Sequence, residues 1–174
     1  TKENTWKDFI ACADYLVDKK YTSKEKLIGS GMSAGGILIG NAVAERPDLF
    51  AAIIAEVGCT NMLRMEITPN GPNQIPEFGS LENSEELKGL IAMDAQHKIK
   101  ENVKYPAVLV RTGMNDPRVI PWMPAKFAAT MQNSSTSGKP VLFYVDYENG
   151  HFTQDKNVTY GNYADMYAFA LSQT

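Results

Sequence analysis

The stretch GSGMSAGGILIG, residues 29–40, sets five glycines around one serine in particular, Ser33. Residues 26–29 before it read as a short apolar strand, and residues 34–45 after its serine read as a helix stopped by Pro47. Gly31, Ser33 and Gly35 therefore match G-x-S-x-G between a strand and a helix. In that setting the serine rides a sharp, strained turn that lifts its hydroxyl clear of the sheet. Glycine is needed because neighbouring chain passes where a side chain would stand. The N-terminus of the following helix offers unpaired N–H groups that can hold a developing oxyanion.

Working outward, residues 5–19 place Trp6, Phe9, Ile10, Ala13, Leu16 and Val17 at helical spacing, which predicts an amphipathic helix ending near Lys20. Residues 50–57 (FAAIIAEV) and 107–112 (AVLVRT) are apolar runs expected of strands buried on both faces, and 141–145 predicts a fourth strand. Residues 66–84 are rich in proline, glycine and polar side chains and read as a long loop. Helices are expected at 85–92, 124–132 and 160–172, with a surface loop at 133–138. Alternation of this kind predicts an α/β fold of about four parallel strands with helices on both faces, in one domain without internal repeats.

The 174 residues are 44 % apolar and 21 % charged, with a net charge of -3. Nothing basic enough to neutralise phosphates is present, so nucleic acid is not expected as a partner. No apolar run approaches the roughly 18 residues of a membrane span. The opening TKENTWKDFI has neither a basic nor an apolar segment of a signal peptide. Cys12 and Cys59 do not make a metal-binding or disulfide framework and are expected to be buried free thiols. Two sequons, at Asn133 and Asn157, fall on expected loops and, without a secretory context, are treated as chance.

A serine hydroxyl needs a base. His97 lies among charged residues in AQHKIKENV and reads as a solvated surface residue. His151, in YENGHFTQ, directly follows the fourth strand, at the sheet end where catalytic loops gather. A third residue must orient the imidazole. Asp116 is the one carboxylate between the third strand and the helix after it. Asp146, near the end of the fourth strand, competes with it but reads as a plain surface charge. The order Ser33, Asp116, His151 is that of the α/β-hydrolases.

GxSxGG followed by ERPDLFAAIIAEVG, then TGMNDPRVIPWMPAKFAA, then ENGH, resembles the catalytic domain of the prolyl oligopeptidase family of serine peptidases, over nearly the whole chain. The resemblance implies that Ser33 is the nucleophile, Asp116 the orienting acid and His151 the general base. It also implies that the Ala34 N–H forms half of the oxyanion hole. Arg118 matches the family arginine that binds a substrate carbonyl or carboxylate, a task its rigid five-donor fork suits. Phe78, in Glu77-Phe78-Gly79, matches the pocket aromatic, and Val119 completes the DxRV motif at the substrate site.

The same resemblance implies short peptide substrates, no metal and no organic cofactor. By family habit the location is cytoplasmic, with the periplasm as the alternative for a bacterial parent. Proline-specific members carry Asn after the serine and a tryptophan four residues before the pocket aromatic; here Ala34 and Gln74 stand there. The Ala34 motif and PAKFAA look closer to oligopeptidase B, whose acidic residues near Gln74 and Pro76 are not matched either. The P1 preference therefore stays open.

Family members carry a β-propeller, earlier hydrolase strands and an upstream tyrosine that gives the second oxyanion bond. The resemblance thus implies that this chain is the C-terminal part of a catalytic domain. Its first strand is then expected to be an open sheet edge through which the fragment self-associates. Two rival functions remain at this stage: an esterase or lipase on the same fold, and a catalytically dead fragment.

Overall fold

The computed structural model describes residues 2–174. Four strands, β1 (Ile28–Met32), β2 (Ala52–Glu56), β3 (Ala107–Gly113) and β4 (Val141–Asp146), form one parallel sheet in chain order. Parallel neighbours need a crossover. It is supplied by α2 (Gly35–Glu45) between β1 and β2, by α3 (Gly71–Phe78), α4 (Ser84–Met93) and α5 (Ala95–Lys98) before β3, and by α6 (Trp122–Ser134) before β4. Helix α1 (Glu3–Asp18) precedes the sheet and α7 (Lys156–Ser172) follows it.

The two faces are covered unequally. Ile53, Val108 and Val110 pack into a large core with Trp6, Val43, Leu90 and Phe127 from α1, α2, α4 and α6. On the other face Ala52, Ile54, Ala107 and Leu109 meet Met166 and Phe169 of α7. Burying a side chain such as Phe127 contributes on the order of 2–3 kcal/mol. The central strands β2 and β3 are buried along nearly their whole length, as their apolar runs require, while the edge strand β1 alternates between buried and exposed positions.

The α/β arrangement expected from the sequence is present, with corrections. Strand β1 runs through Gly29 and Gly31 to Met32 instead of stopping at residue 29, because those glycines pair with Ile53 and Ala55 of β2. The expected loop at 66–84 holds α3. Pro72 falls in its first turn, where no N–H is needed, so it does not break the helix. Helix α5 and a 3-10 turn at Met62–Arg64 also lie outside the expected pattern. Helix α7 starts four residues early because the Asp155 side chain accepts from the Asn157 and Val158 N–H groups. Both sequon asparagines, Asn133 and Asn157, are helical and not in loops.

Candidate active site

The Ser33 turn follows from steric demands. Ser33 leaves β1 with φ of 56°, in the left-handed region that costs an ordinary residue energy. Its N–H donates to the Glu56 carbonyl at 2.9 Å, and its own carbonyl accepts from Gly36 and Cys59 N–H at 2.9 Å each. Val57, just after β2, is also left-handed, at φ of 41°, and its N–H donates to the Arg111 carbonyl at 2.7 Å. Two glycines make this possible. A Cβ on Gly31 would stand 2.3 Å from the Gly35 carbonyl oxygen, and one on Gly36 would stand 2.6 Å from the Cys59 nitrogen. Helix α2 therefore starts almost in contact with the strand ends, and the Ala34 N–H has no acceptor among the described residues.

Asp116 and His151 sit on the loops after β3 and β4. Asp116 is 6 % exposed and its Oδ1 accepts from the Arg118 and Val119 N–H groups at 2.8 and 2.9 Å. Its Oδ2 lies 2.7 Å from His151 Nδ1, and His151 Nε2 lies 3.0 Å from Ser33 Oγ. A carboxylate only accepts, so Nδ1 carries the proton and Nε2 is left to accept from the serine hydroxyl. Phe152 meets the His151 ring edge-on, with centroids 4.7 Å apart. Serine, histidine and aspartate, drawn from three strand ends, thus form one hydrogen-bonded line.

Beside Ser33 a cavity of about 110 Å³ opens. Ala34, Phe78, Arg118 and Val119, each singled out in the sequence, all line it. Gln74 and Phe78, one turn apart on α3, form one wall together with Met65. No carboxylate is among its lining residues; Arg118 is the sole charged side chain there. Its guanidinium lies over the Phe152 ring, 5.7 Å from the centroid, and its carbonyl accepts from Asn70 Nδ2 at 3.1 Å.

Cys59 also lines the cavity, and burial, followed by the nearby Asp116 charge, pushes its thiol up to about 12. Cys12, expected to be buried, is exposed. The buried stripe of α1 runs through Trp6 and Ala13, and one residue turns a helix by about 100°. His97 lies on α5 with its side chain 57 % exposed, 2.8 Å from the buried Asp94, away from the Ser33 cavity's lining. Gln74, the position the resemblance put at the pocket, lines the cavity, whereas Met65 became visible as a cavity residue only once the turn before α3 was in place.

With this geometry in place, comparison with known proteins is specific. The family model described as the prolyl oligopeptidase family matches residues 1–174. The prolyl endopeptidase of Dictyostelium discoideum is 35 % identical over 153 residues, covering 86 % of this chain and 20 % of that protein. The prolyl endopeptidase of Elizabethkingia miricola is 35 % identical over 173 residues, covering 98 % of this chain and 24 % of that protein. Among solved structures, a prolyl endopeptidase superposes with a TM-score of 0.94 at 35 % identity, covering 99 % of this chain and 26 % of that chain. Oligopeptidase B from Leishmania major also gives 0.94, at 30 % identity, covering 99 % of this chain and 24 % of that chain. The chain spans 20 % and 24 % of the length of the two curated relatives above. These are α/β-hydrolase catalytic domains, and the chain belongs to the prolyl oligopeptidase family.

Proposed function

We propose that this chain carries the reacting centre of a serine-type peptidase acting on short peptides. The observation that supports it best is the hydrogen-bonded line from Ser33 Oγ through His151 to the Asp116 carboxylate, at 3.0 and 2.7 Å. In this reading His151 Nε2 takes the hydroxyl proton as Ser33 Oγ bonds to the scissile carbonyl carbon. Asp116 stabilises the imidazolium formed and fixes its tautomer. The Ala34 N–H, at the start of α2, donates to the oxyanion. The tetrahedral intermediate then collapses, the C–N bond breaks, and His151 returns the proton to the leaving amine. Water repeats the sequence on the acyl-enzyme and releases the acid.

Arg118 holds a carbonyl of the bound peptide, while Phe78 and Val119 flank the side chain before the scissile bond. That side chain enters a cavity with Arg118 at its wall and no carboxylate. An uncharged P1 residue suits it, and an arginine or lysine would be desolvated without a partner. The relatives' names include prolyl endopeptidases and a dipeptidyl aminopeptidase, so the family name alone does not fix the P1 residue.

The test is hydrolysis of peptidyl-aminomethylcoumarins with Pro, Ala, Phe or Arg at P1, by the full-length protein and its Ser33→Ala variant. The expected result is turnover that vanishes with Ser33 and is slowest for Arg. Hydrolysis of short acyl esters without any peptide turnover would replace this reading by an esterase. No Ser33-dependent turnover of either class would leave a catalytically dead domain.

A further inference from the structure

Asp146 ends β4, five residues before His151. By sequence it reads as a surface charge, yet its carboxylate is fully engaged. Oδ1 accepts from the Glu148 and Asn149 N–H groups at 3.0 Å each, and Oδ2 accepts from Asn149 Nδ2 at 2.9 Å. Burial opposes its charge, but the bonds from Asn149 and Glu148 outweigh it and hold the carboxyl below its ordinary range.

The loop that carries Asp116 docks on the turn so closed. Met114 N–H donates to the Asp146 carbonyl at 2.7 Å, and Asn115 N–H donates to the Asn149 carbonyl at 3.2 Å. Asn115 Nδ2 donates to the Tyr147 carbonyl at 3.0 Å. The backbones touch: a Cβ on Gly113 would lie 2.2 Å from the Gly150 carbonyl oxygen, and one on Gly150 would lie 2.6 Å from that of Asn115. All three carbonyls that receive these bonds belong to residues 146–149. The Asp146 carbonyl continues the β3–β4 ladder, and those of Tyr147 and Asn149 are aimed by the turn that the Asp146 carboxylate fixes.

We propose that Asp146 is a positioning residue: by closing the 146–149 turn it holds the His151 loop in register with the Asp116 loop, and so sets the Asp116–His151–Ser33 line. The inference rests on the roles proposed for those three residues. Displacing a reacting group by about 1 Å can cost on the order of a hundredfold in rate, and the two bonds from Asn115, next to Asp116, into that turn make such a shift the direct result of losing it.

The test uses the full-length protein with Asp146→Ala, Asp146→Asn and Asn115→Ala. Five quantities are read: kcat and KM on the best peptide, the second-order rate of Ser33 phosphonylation by a fluorophosphonate, the downfield proton resonance of His151 Nδ1–H, and Tm. Asp146→Ala is expected to lower kcat and the phosphonylation rate together, by roughly 10- to 100-fold, with KM nearly unchanged and the Nδ1–H resonance shifted. Asp146→Asn keeps an oxygen able to accept both backbone N–H groups and should recover most of the rate. Asn115→Ala, which removes one strap, should show a smaller loss of the same kind.

A lowered Tm with unchanged kcat, phosphonylation rate and Nδ1–H resonance in Asp146→Ala would overturn the proposal. So would an Asp146→Asn variant as slow as Asp146→Ala. If Asp146→Ala does not fold, unaltered readouts in Asn115→Ala overturn it and a parallel loss supports it. If the wild-type protein neither turns over peptides nor phosphonylates Ser33, the peptidase reading fails separately. The Nδ1–H resonance then still decides, and an identical signal in all variants refutes the positioning role.

Discussion

Around Ser33, backbone is held by fit: Gly31 and Gly36 leave no room for a Cβ, and Ser33 and Val57 are forced to positive φ. Around His151 the backbone fits as closely, at Gly113 and Gly150, but side-chain bonds are added to the fit: the Asp146 carboxylate closes a turn, and Asn115 straps it to the Asp116 loop. In the proposed reaction Ser33 must stand at one point on a rigid elbow, and steric contact with α2 supplies that. Asp116 and His151 stand on two loops beyond the last β3–β4 pair, Gly113 with Asp146, and polar groups tie those loops together. Fit resists any added atom, whereas the added bonds can be weakened without unfolding the chain.

The largest expected effect separates chemistry from folding on the polar side. Asp116→Asn keeps the size of the side chain but no longer fixes the Nδ1–H tautomer. By analogy with other serine triads, kcat should fall by about 10⁴-fold, with Tm little changed, as read by steady-state kinetics and calorimetry. A drop in Tm that accounts for the lost activity would erase the distinction drawn here.

Next come the elbow glycines. Gly31→Ala and Gly36→Ala drive a methyl into backbone, so each should cost about 3 kcal/mol or more, at the upper end of overpacking effects. Gly35→Ala, where nothing lies within 4 Å of the added Cβ, should be neutral or slightly stabilising. Denaturant titration of the three variants checks this, and equal losses at all three positions would refute the steric account of the elbow.

A smaller effect concerns pH. The Asp146 carboxyl lies below its ordinary range, so the folded state favours its charged form. Its contribution is full above the ordinary carboxylate range and fades as pH falls into the lowered one. Asp146→Asn should therefore lower Tm slightly at neutral pH, with the two curves converging as pH falls, so that the acid end of the Tm-against-pH curve is flatter. The smallest effect is a rate of modification: iodoacetamide at mildly alkaline pH should alkylate exposed Cys12 first. Buried Cys59, with its thiol near 12, should lag and be further shielded when Ser33 is phosphonylated.

Ser33, Asp116 and His151 were legible because each follows an apolar run that has to be a strand, and because their order along the chain matches where strand ends meet. The four strands themselves were legible from the same runs. What escaped depends on contacts between distant segments. Helix α3 was hidden because Pro72 and Pro76 look like breakers, although Pro72 only occupies the first turn. The exposure of Cys12 follows from which stripe of α1 faces α2, which a single residue's type does not reveal. The engagement of Asp146 needs the β3 and β4 loops to be neighbours, which the pairing of Gly113 with Asp146 establishes.

The central claim is that Ser33 is activated through His151 by Asp116. It is tested most directly by treating the full-length protein with a fluorophosphonate and locating the label by peptide mass spectrometry, beside Ser33→Ala and His151→Ala variants. The expected result is a single label on Ser33, absent in Ser33→Ala and formed far more slowly in His151→Ala. A label on another residue, or the same rate without His151, would contradict it.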